Sequence, residues 1–312
     1  MPIEKIRIEN TDKNALPGDC AYILKNESNQ KIFVFETTTR HDKPKGNVLI
    51  IPPFAVNAHS LFLFSYYFQA NGYNVYRFDG INSVGLSTGT MENYTLGQLE
   101  KDTAQVIDSV LADSDLPLTI LTQSLSFPVG LKYSTYAGCI SKLISIVGVV
   151  DVKDTVERVS EESLDPYVLK DPAAPKYLTV FGHDSIAQAF VDDIIKNSMS
   201  NVEDSISHFT KTNVPIYMIS AKDDEYVNYE DVLKCRDLIE KNGKLIEVPD
   251  AGHMIGRSLF IMKKLAALAI ECALGEESAK AGINLPKLTD VVKAASLEAD
   301  FANYCEAQIS LL

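Results

Sequence analysis

One stretch of the sequence joins a buried strand directly to a helix: Leu118-Thr119-Ile120-Leu121-Thr122-Gln123-Ser124-Leu125-Ser126-Phe127-Pro128. Its first residues form an apolar run that is typical of a core strand. Pro128 is compatible with a helix when it falls in the first turn. A strand that passes straight into a helix must turn sharply, and the residue at the apex projects its side chain above the sheet edge. The stretch therefore predicts an α/β fold with Ser124 at the end of a central strand.

The residues around Ser124 depart from the G-x-S-x-G pattern of a nucleophile elbow. Thr122 and Ser126 stand at the two glycine positions, where small residues are preferred because the backbone is tight. A serine that follows a strand is most often only a helix N-cap. The local motif alone is weak, and its interpretation depends on residues elsewhere in the chain.

Two later loops supply the residue types that would activate a serine. Asp224 follows an apolar strand, and His253 follows the next one in Pro249-Asp250-Ala251-Gly252-His253. The order Ser, Asp, His is that of the α/β-hydrolase triad, in which histidine takes the serine proton and the carboxylate orients the histidine. We predict these roles for Ser124, His253 and Asp224, with Asp223 as the competing carboxylate. The alternatives are a solvated acidic loop and a packed or capping histidine.

The same fold requires an oxyanion hole built from backbone N–H groups. One donor is expected from Leu125, the residue after the serine, and the other from the loop after the strand Asn47–Ile51. Pro52 and Pro53 have no N–H, so Phe54 is the expected second donor. A core aromatic role for Phe54 is compatible with this, because the donor is its backbone.

Apolar runs and helical stretches alternate through most of the chain, which predicts a mostly parallel sheet flanked by helices. The pattern predicts an α/β-hydrolase core over 1–150 and 212–275, a helical cap or lid over 151–211, and a helical C-terminal tail over 276–312. An ordinary crossover with added helices is the alternative for 151–211. Predicted elements include an edge hairpin (Cys20–Leu24 with Lys31–Phe35) and helices at Leu96–Ala112, Tyr229–Asn242, Met254–Ala273 and Leu288–Leu297.

Composition limits the partners that the chain is expected to have. The net charge of −13 argues against nucleic acid or an anionic membrane as the main partner. Five scattered cysteines without a C-x-x-C pair suggest neither a metal site nor a disulfide framework, and a cytoplasmic location is the simplest expectation. Neither a signal peptide nor a membrane span is visible, and no cofactor motif occurs.

Four segments carry a family resemblance: Asn71-Gly72-Tyr73-Asn74-Val75, Val84-Gly85-Leu86-Ser87-Thr88-Gly89, Ser124-Leu125-Ser126 and Val147-Gly148-Val149-Val150. They are similar to the corresponding segments of the lux-specific acyltransferases, the myristoyl-ACP thioesterases of bacterial luminescence, whose nucleophile motif is Ser-Leu-Ser. Pro52-Pro53 differs from the family's Ser-Gly and leaves the pathway open.

The resemblance implies acyl-enzyme chemistry at Ser124 with His253 as base and Asp224 as its orienter. The predicted function is hydrolysis or transfer of a medium-to-long fatty acyl group from an acyl-ACP or acyl-CoA thioester. An acyl carrier protein is a possible partner, and a reductase or synthetase is another if the luminescence role holds. Two alternatives stay open: a carboxylesterase on small esters with the same triad, and a hydrolase-like binding protein without turnover.

Overall fold

The computed structural model describes residues 4–10, 19–249, 251–275 and 282–309. The strands are β1 (Glu4–Glu9), β2 (Asp19–Lys25), β3 (Lys31–Thr37), β4 (Gly46–Ile50), β5 (Tyr73–Asp79), β6 (Leu118–Gln123), β7 (Ile140–Ile146), β8 (Tyr177–Val180), β9 (His183–Ile186), β10 (Ile216–Ala221) and β11 (Lys244–Val248). Within the described residues, nine strands form one sheet in the order β1-β2-β3-β5-β4-β6-β7-β10-β11. Neighbours from β5 to β11 run parallel, and β1, β2, β3 and β5 pair antiparallel.

Helices cover both faces of this sheet. They are α1 (Phe62–Ala70), α2 (Leu96–Val106), α3 (Phe127–Tyr133), α4 (Val152–Ser160), α5 (Asp165–Val168), α6 (Ala187–Lys196), α7 (Val202–Lys211), α8 (Tyr229–Lys234), α9 (Arg236–Glu240), α10 (Leu259–Leu274) and α11 (Leu288–Ile309). Strand β4 and the residue after it show the two-sided burial: Val48 and Ile50 join the apolar cluster of α1 and α10, whereas Leu49 and Ile51 join that of α2 and α3. The arrangement confirms the predicted α/β class.

The strand order places a switch point between β4 and β6. The chain moves from β4 to β5 on one side and later from β6 to β7 on the other, so the loops after β4 and β6 are neighbours. Ile50 of β4 pairs with Leu121 of β6, three residues before Ser124. Such a crevice at the carboxyl ends of parallel strands is where open α/β sheets bind ligands.

The structure differs from the prediction in the position of one hairpin and in the bounds of three helices. Strand β1 covers β2, so the predicted hairpin is not the sheet edge. The helix predicted over Leu96–Ala112 is α-helical only as far as Val106, and a π-helical turn follows at Ile107–Leu111. The helix predicted from Tyr229 is interrupted at Cys235, which is buried against the core. Helix α10 starts only at Leu259, because the Ser258 side chain caps it by accepting from the Ile261 N–H.

The segment between β7 and β10 holds four helices, α4 to α7, and the short antiparallel hairpin β8–β9. The sequence predicted no strand in this segment, and the hairpin corrects that expectation. Two four-residue strands give too little periodicity to be recognised in a sequence. The hairpin turn has positive φ angles at Phe181 (50°) and Gly182 (77°), and only the glycine adopts its angle without strain.

Helix α11 packs its apolar side on the antiparallel part of the sheet, where Phe301 contacts Phe35. It also inserts one buried charge into the core. Glu298 accepts two hydrogen bonds from the Arg77 guanidinium, at 2.6 and 2.9 Å, and contacts His59 Nδ1 at 3.1 Å. Burial opposes ionisation of Glu298, but the Arg77 charge and the hydrogen bonds from His59 and Arg77 together outweigh burial and keep the pKa of Glu298 below its usual value.

We expect Glu298→Ala to lower the free energy of unfolding by about 3–5 kcal/mol, because it leaves the Arg77 charge buried without a partner. Denaturant titration measures this loss. Since folding lowers the pKa of Glu298, the pair stabilises the fold above the unfolded pKa of about 4.3. That contribution is lost as the pH falls through the folded pKa. Asp300→Ala, at an exposed position of the same helix, is the control and should change stability by less than about 0.5 kcal/mol. An equal loss in both variants would contradict this account.

No helix in the described part of the chain combines the length and apolar character that crossing a bilayer requires. The predicted C-terminal tail includes residues 276–281 and 310–312, which lie outside the described residues.

Candidate active site

Ser124 occupies a strained backbone position at the end of β6. Its φ angle is +54°, in the left-handed region that costs a residue with a side chain about 1 kcal/mol or more. The turn is held on both sides by hydrogen bonds. The Ser126 hydroxyl accepts from the Gln123 N–H and donates to the Gln123 carbonyl, both at 2.9 Å, and the Val149 N–H donates to the Ser124 carbonyl at 3.3 Å. A sharp, strained turn between a strand and a helix is the geometry of a nucleophile elbow.

The absence of the two elbow glycines is compensated elsewhere in the fold. Thr122 is fully buried, and the space it needs is left open by Gly130 of α3. A Cβ atom on Gly130 would lie 2.7 Å from Thr122 Cγ2, which is closer than real contacts allow. Ser126 is also buried, and its hydroxyl serves the turn. The glycine that provides this space therefore lies on the facing helix and not in the strand.

The structure brings Ser124, His253 and Asp224 into one hydrogen-bonded chain. Ser124 Oγ lies 2.7 Å from His253 Nε2, and His253 Nδ1 lies 2.9 Å from Asp224 Oδ2. The side chains of His253 and Asp224 are only 5% and 3% exposed, so water screens their contact weakly. When His253 Nδ1 carries the proton, it donates to the Asp224 carboxylate. In that tautomer Nε2 is unprotonated and can accept a hydrogen bond from the Ser124 hydroxyl.

Asp224 is held in place by its own loop. Its Oδ1 atom accepts hydrogen bonds from the Tyr226 and Val227 N–H groups, both at 2.9 Å. The other oxygen is thereby directed at His253. The competing residue, Asp223, is exposed to solvent and has no contact with the histidine among the hydrogen bonds of the described residues.

Two residues near the histidine were not predicted from the sequence. Glu225 accepts a hydrogen bond from the His253 N–H at 3.0 Å and so ties the histidine loop to the aspartate loop. A Cβ atom on Gly252 would lie 2.8 Å from Glu225 Oε2, so a larger residue at 252 would require the Glu225 carboxylate to shift. The Tyr226 ring packs edge-on against the imidazole with 5.3 Å between ring centres. The sequence carries no signal for either contact, because they form between distant loops.

The two expected oxyanion donors lie in different segments of the chain. Phe54 lies in the loop after β4, lines the same cavity as Ser124, and its N–H donates to no other group of the described chain. Leu125 follows Ser124 in a 3₁₀ turn at the start of α3, where N–H groups are left over for a ligand. The next loop residue, Ala55, has a φ angle of +57°, so this loop is strained like the serine turn.

Buried carboxylates fix the loops around these donors. Asp79 accepts hydrogen bonds from the Ala58 N–H at 2.6 Å and the Leu86 N–H at 2.8 Å. Burial raises the pKa of Asp79 to about 6, although both hydrogen bonds favour its charged form. Arg77 donates to the Ala58 carbonyl at 3.1 Å, so the loop that carries Phe54 is also anchored to Glu298 through Arg77.

A cavity of about 340 Å³ opens in front of the serine. Most of its lining is apolar: Pro53, Phe54, Ala55, Val56, Leu61, Phe64, Phe181, Met254, Ile255 and Met262. The polar groups are few and lie near the reacting position: Ser60, Gln123, Ser124, His183 and His253. An apolar pocket with a few convergent polar groups is the usual form of a small-molecule site. In the described residues no group of His, Cys, Asp and Glu is arranged to hold a metal ion.

Comparisons with known proteins identify relatives along nearly the whole chain. The family model described as acyl transferase matches residues 19–289. An acyl transferase of Aliivibrio fischeri strain MJ11 is 25% identical and covers 92% of this chain and 95% of its own length. One from Photorhabdus luminescens is 26% identical, with 82% and 84% covered.

The likeness extends to solved structures at lower identity. Est1E from Butyrivibrio proteoclasticus, with ferulic acid bound, has a TM-score of 0.64 and 16% identity, and covers 80% of this chain and 99% of that one. At this identity the likeness shows the fold, which is that of the α/β-hydrolases. The family match spans most of the sequence, and the chain therefore belongs to the acyl transferase family.

Proposed function

We propose that the protein is a serine-dependent thioesterase or acyltransferase that takes a medium-to-long fatty acyl group from a thioester through an acyl-enzyme. The observation that carries this proposal is the Ser124–His253–Asp224 chain of hydrogen bonds, 2.7 and 2.9 Å long, beside an apolar cavity. Membership in the acyl transferase family supports the acyl part of the proposal.

In the proposed first step, Ser124 Oγ attacks the thioester carbonyl while His253 Nε2 takes its proton. Asp224 stabilises the imidazolium that forms. The carbonyl oxygen gains negative charge and accepts from the Phe54 and Leu125 N–H groups. The carbon–sulfur bond then breaks, and the thiol leaves with the proton held by His253.

In the second step, water or an alcohol attacks the acyl-enzyme as His253 removes its proton. The acid or ester is released, and Ser124 regains its proton from His253. Glu225 and Tyr226 hold the imidazole in position through both steps. Glu225 accepts from the His253 backbone N–H, and the Tyr226 ring packs against the imidazole.

The segment over 151–211 is proposed to act as the cap of this site. Phe181 and His183 of its hairpin line the cavity, and Phe181 packs against Tyr226 at 5.5 Å between ring centres. Below the hairpin, an apolar gap of about 10 Å³ lies behind Phe54, between Leu125 and the cap residues Val156, Leu178, Val180 and Phe190. Phe54 separates this gap from the main cavity, so a turn of its ring would extend the cavity for a longer acyl chain.

A carboxylesterase acting on small esters is the second candidate, and the size of the cavity favours it. The volume of about 340 Å³ lies at the low end of the range of roughly 300–1,000 Å³ for ligand pockets. The same triad would serve either substrate.

Steady-state kinetics with dodecanoyl and butyryl thioesters of one small thiol, and with ethyl butyrate, distinguish these functions. We expect kcat/KM for the dodecanoyl thioester to exceed that for the butyryl thioester by about tenfold or more. Burial of each methylene contributes about 0.8 kcal/mol, so two additional buried methylenes are enough for a tenfold preference. A preference for the short oxygen ester would establish the esterase, and no turnover of any of the three would favour a binding protein.

A further inference from the structure

The loop that carries the proposed oxyanion donor Phe54 is held at one residue by two buried charged groups. We call residues 54–59 the oxyanion loop. The Ala58 N–H donates to Asp79 Oδ1 at 2.6 Å, and the Ala58 carbonyl accepts from Arg77 Nη1 at 3.1 Å. All three residues are at most 3% exposed, so water competes weakly for these contacts. The backbone of Ala58 is thereby fixed at both its N–H and its carbonyl.

The oxyanion loop has a strained backbone that needs such support. Ala55 has a φ angle of +57°, and conformations of this kind persist only where the surrounding structure holds them. On the side of α11 a cavity of about 210 Å³ lies between loop and helix, lined by Asn57 and His59 of the loop and by Ala299 and Ala302 of the helix. On that side the loop therefore depends on polar contacts and not on close packing.

Helix α11 supplies polar contacts on that side through Glu298. Its carboxylate accepts from the Arg77 guanidinium at 2.6 and 2.9 Å, and its Oε1 atom lies 3.1 Å from His59 Nδ1. Glu298 thus contacts the oxyanion loop directly at His59 and holds the arginine that donates to the Ala58 carbonyl. It lies beyond residues 19–289, which the family model matches, so this support comes from a segment outside the matched region.

We propose that Arg77 and Glu298 are positioning residues of the active site, which hold the oxyanion loop so that the Phe54 N–H reaches the developing oxyanion. This inference rests on the proposed function, because it assigns their effect to the transition state of acyl transfer. Loss of one oxyanion donor costs about 10²–10³ in kcat. A misplacement of about 1 Å can cost about 10²-fold, so the loop needs only a small shift to lower the rate.

Removal of both charges separates positioning from folding. Loss of Glu298 alone leaves the Arg77 charge buried without a partner, and the resulting instability would obscure a catalytic effect. In Arg77→Met/Glu298→Met neither charge remains, and replacement of a whole buried ion pair by apolar residues is often neutral or stabilising. The Ala58 carbonyl still accepts from the Leu61 N–H at 3.2 Å, so it is not left without a donor. We therefore expect this double variant to fold.

Steady-state kinetics of the double variant with the dodecanoyl thioester of a small thiol test the proposal. We expect kcat and kcat/KM to fall by the same factor, about tenfold or more, with KM within about twofold. Equal loss in both constants indicates an interaction that is made only in the transition state. A purely structural ion pair predicts wild-type kcat in folded protein, and that result would overturn the proposal. A higher KM at unchanged kcat would also overturn it, because the effect would then lie in substrate binding.

Glu298→Gln is a second variant that tests the proposal independently. The amide oxygen can still accept from Arg77, but hydrogen bonds between charged groups are about twice as strong as those of neutral groups. We expect a smaller loss of kcat than in the double variant, about threefold or more. A thermal melt shows whether each variant is folded. Wild-type kcat in folded Glu298→Gln would overturn the proposal even if the double variant did not fold.

The matched control is Lys132→Met/Glu100→Met, which removes another partly buried ion pair, with a contact of 2.7 Å. This pair joins α2 to α3, and its hydrogen bonds within the described residues go to Tyr136 and Asn197 and not to the oxyanion loop. We expect its kcat to stay within about twofold of the wild type. Equal losses in the two double variants would mean that loss of any such pair lowers activity, and would overturn the proposal.

The labelling rate of a fluorophosphonate probe separates this inference from the proposed function. Attack of Ser124 on the probe also develops negative charge on an oxygen, so the rate depends on the oxyanion donors without any thioester. Slower labelling of the folded double variant, in a protein that turns over no thioester, would contradict the proposed function and support the positioning role. Thioester turnover by the wild type, with equal labelling rates in wild type and double variant, would support the function and overturn the positioning role.

Discussion

Replacement of Ser124 by alanine is expected to lower kcat/KM for the acyl thioester by about 10⁴-fold or more, to the level left by binding and the oxyanion donors. The reason is that Ser124 Oγ lies 2.7 Å from His253 Nε2, and no other hydroxyl of the described chain contacts that nitrogen. A fluorophosphonate probe should label the wild-type protein and not the variant. The two readouts together separate loss of the nucleophile from loss of substrate binding.

Ser60→Ala is the matched control for this result. Ser60 lines the same cavity but donates to Asn57 and does not contact the histidine. Its loss should change kcat/KM by less than about tenfold, the cost of one ordinary hydrogen bond. Turnover by Ser124→Ala within tenfold of the wild type would refute the assignment of the nucleophile.

Asp224→Asn is expected to lower kcat by about 10⁴-fold while leaving the fold intact. The amide is nearly the same size as the carboxylate, and its oxygen can still accept from the Tyr226 and Val227 N–H groups. Its NH₂ group would then face His253 Nδ1 and favour the tautomer that carries its proton on Nε2. That tautomer cannot accept the proton of Ser124. Steady-state kinetics and a thermal melt measure the two parts of this expectation.

Asp223→Asn provides the comparison for the neighbouring carboxylate. Asp223 is exposed, so its charge is screened by water, and its replacement should leave kcat within about twofold. If Asp223→Asn were the more damaging variant, the two aspartates would have to exchange roles. Equal small effects of both variants would mean that the histidine needs no carboxylate here.

Local patterns made much of the fold predictable. The alternation of apolar runs with helical stretches is a property of neighbouring residues, so the parallel sheet and most helices could be predicted from it. The order of Ser124, Asp224 and His253 also suggested a common site, because each follows a strand whose carboxyl end reaches the same sheet edge. The structure places these three side chains in hydrogen-bond contact.

Contacts between distant segments account for what the sequence did not reveal. Gly130 makes room for Thr122, but the two face each other only once α3 packs on β6. Glu225 meets the His253 backbone across two loops, and Glu298 reaches Arg77 from a helix 221 residues later in the chain. The hairpin β8–β9 was missed because short strands are defined by their pairing and not by periodicity.

Mass spectrometry shows which atom of the protein accepts the acyl group. Wild-type protein is mixed briefly with a dodecanoyl thioester, quenched with acid, and analysed intact and after digestion. We predict a mass increase of one dodecanoyl group on the peptide that contains Ser124, and none in Ser124→Ala. An acyl group on the exposed thiol of Cys139, or equal acylation of the Ser124→Ala protein, would contradict the account.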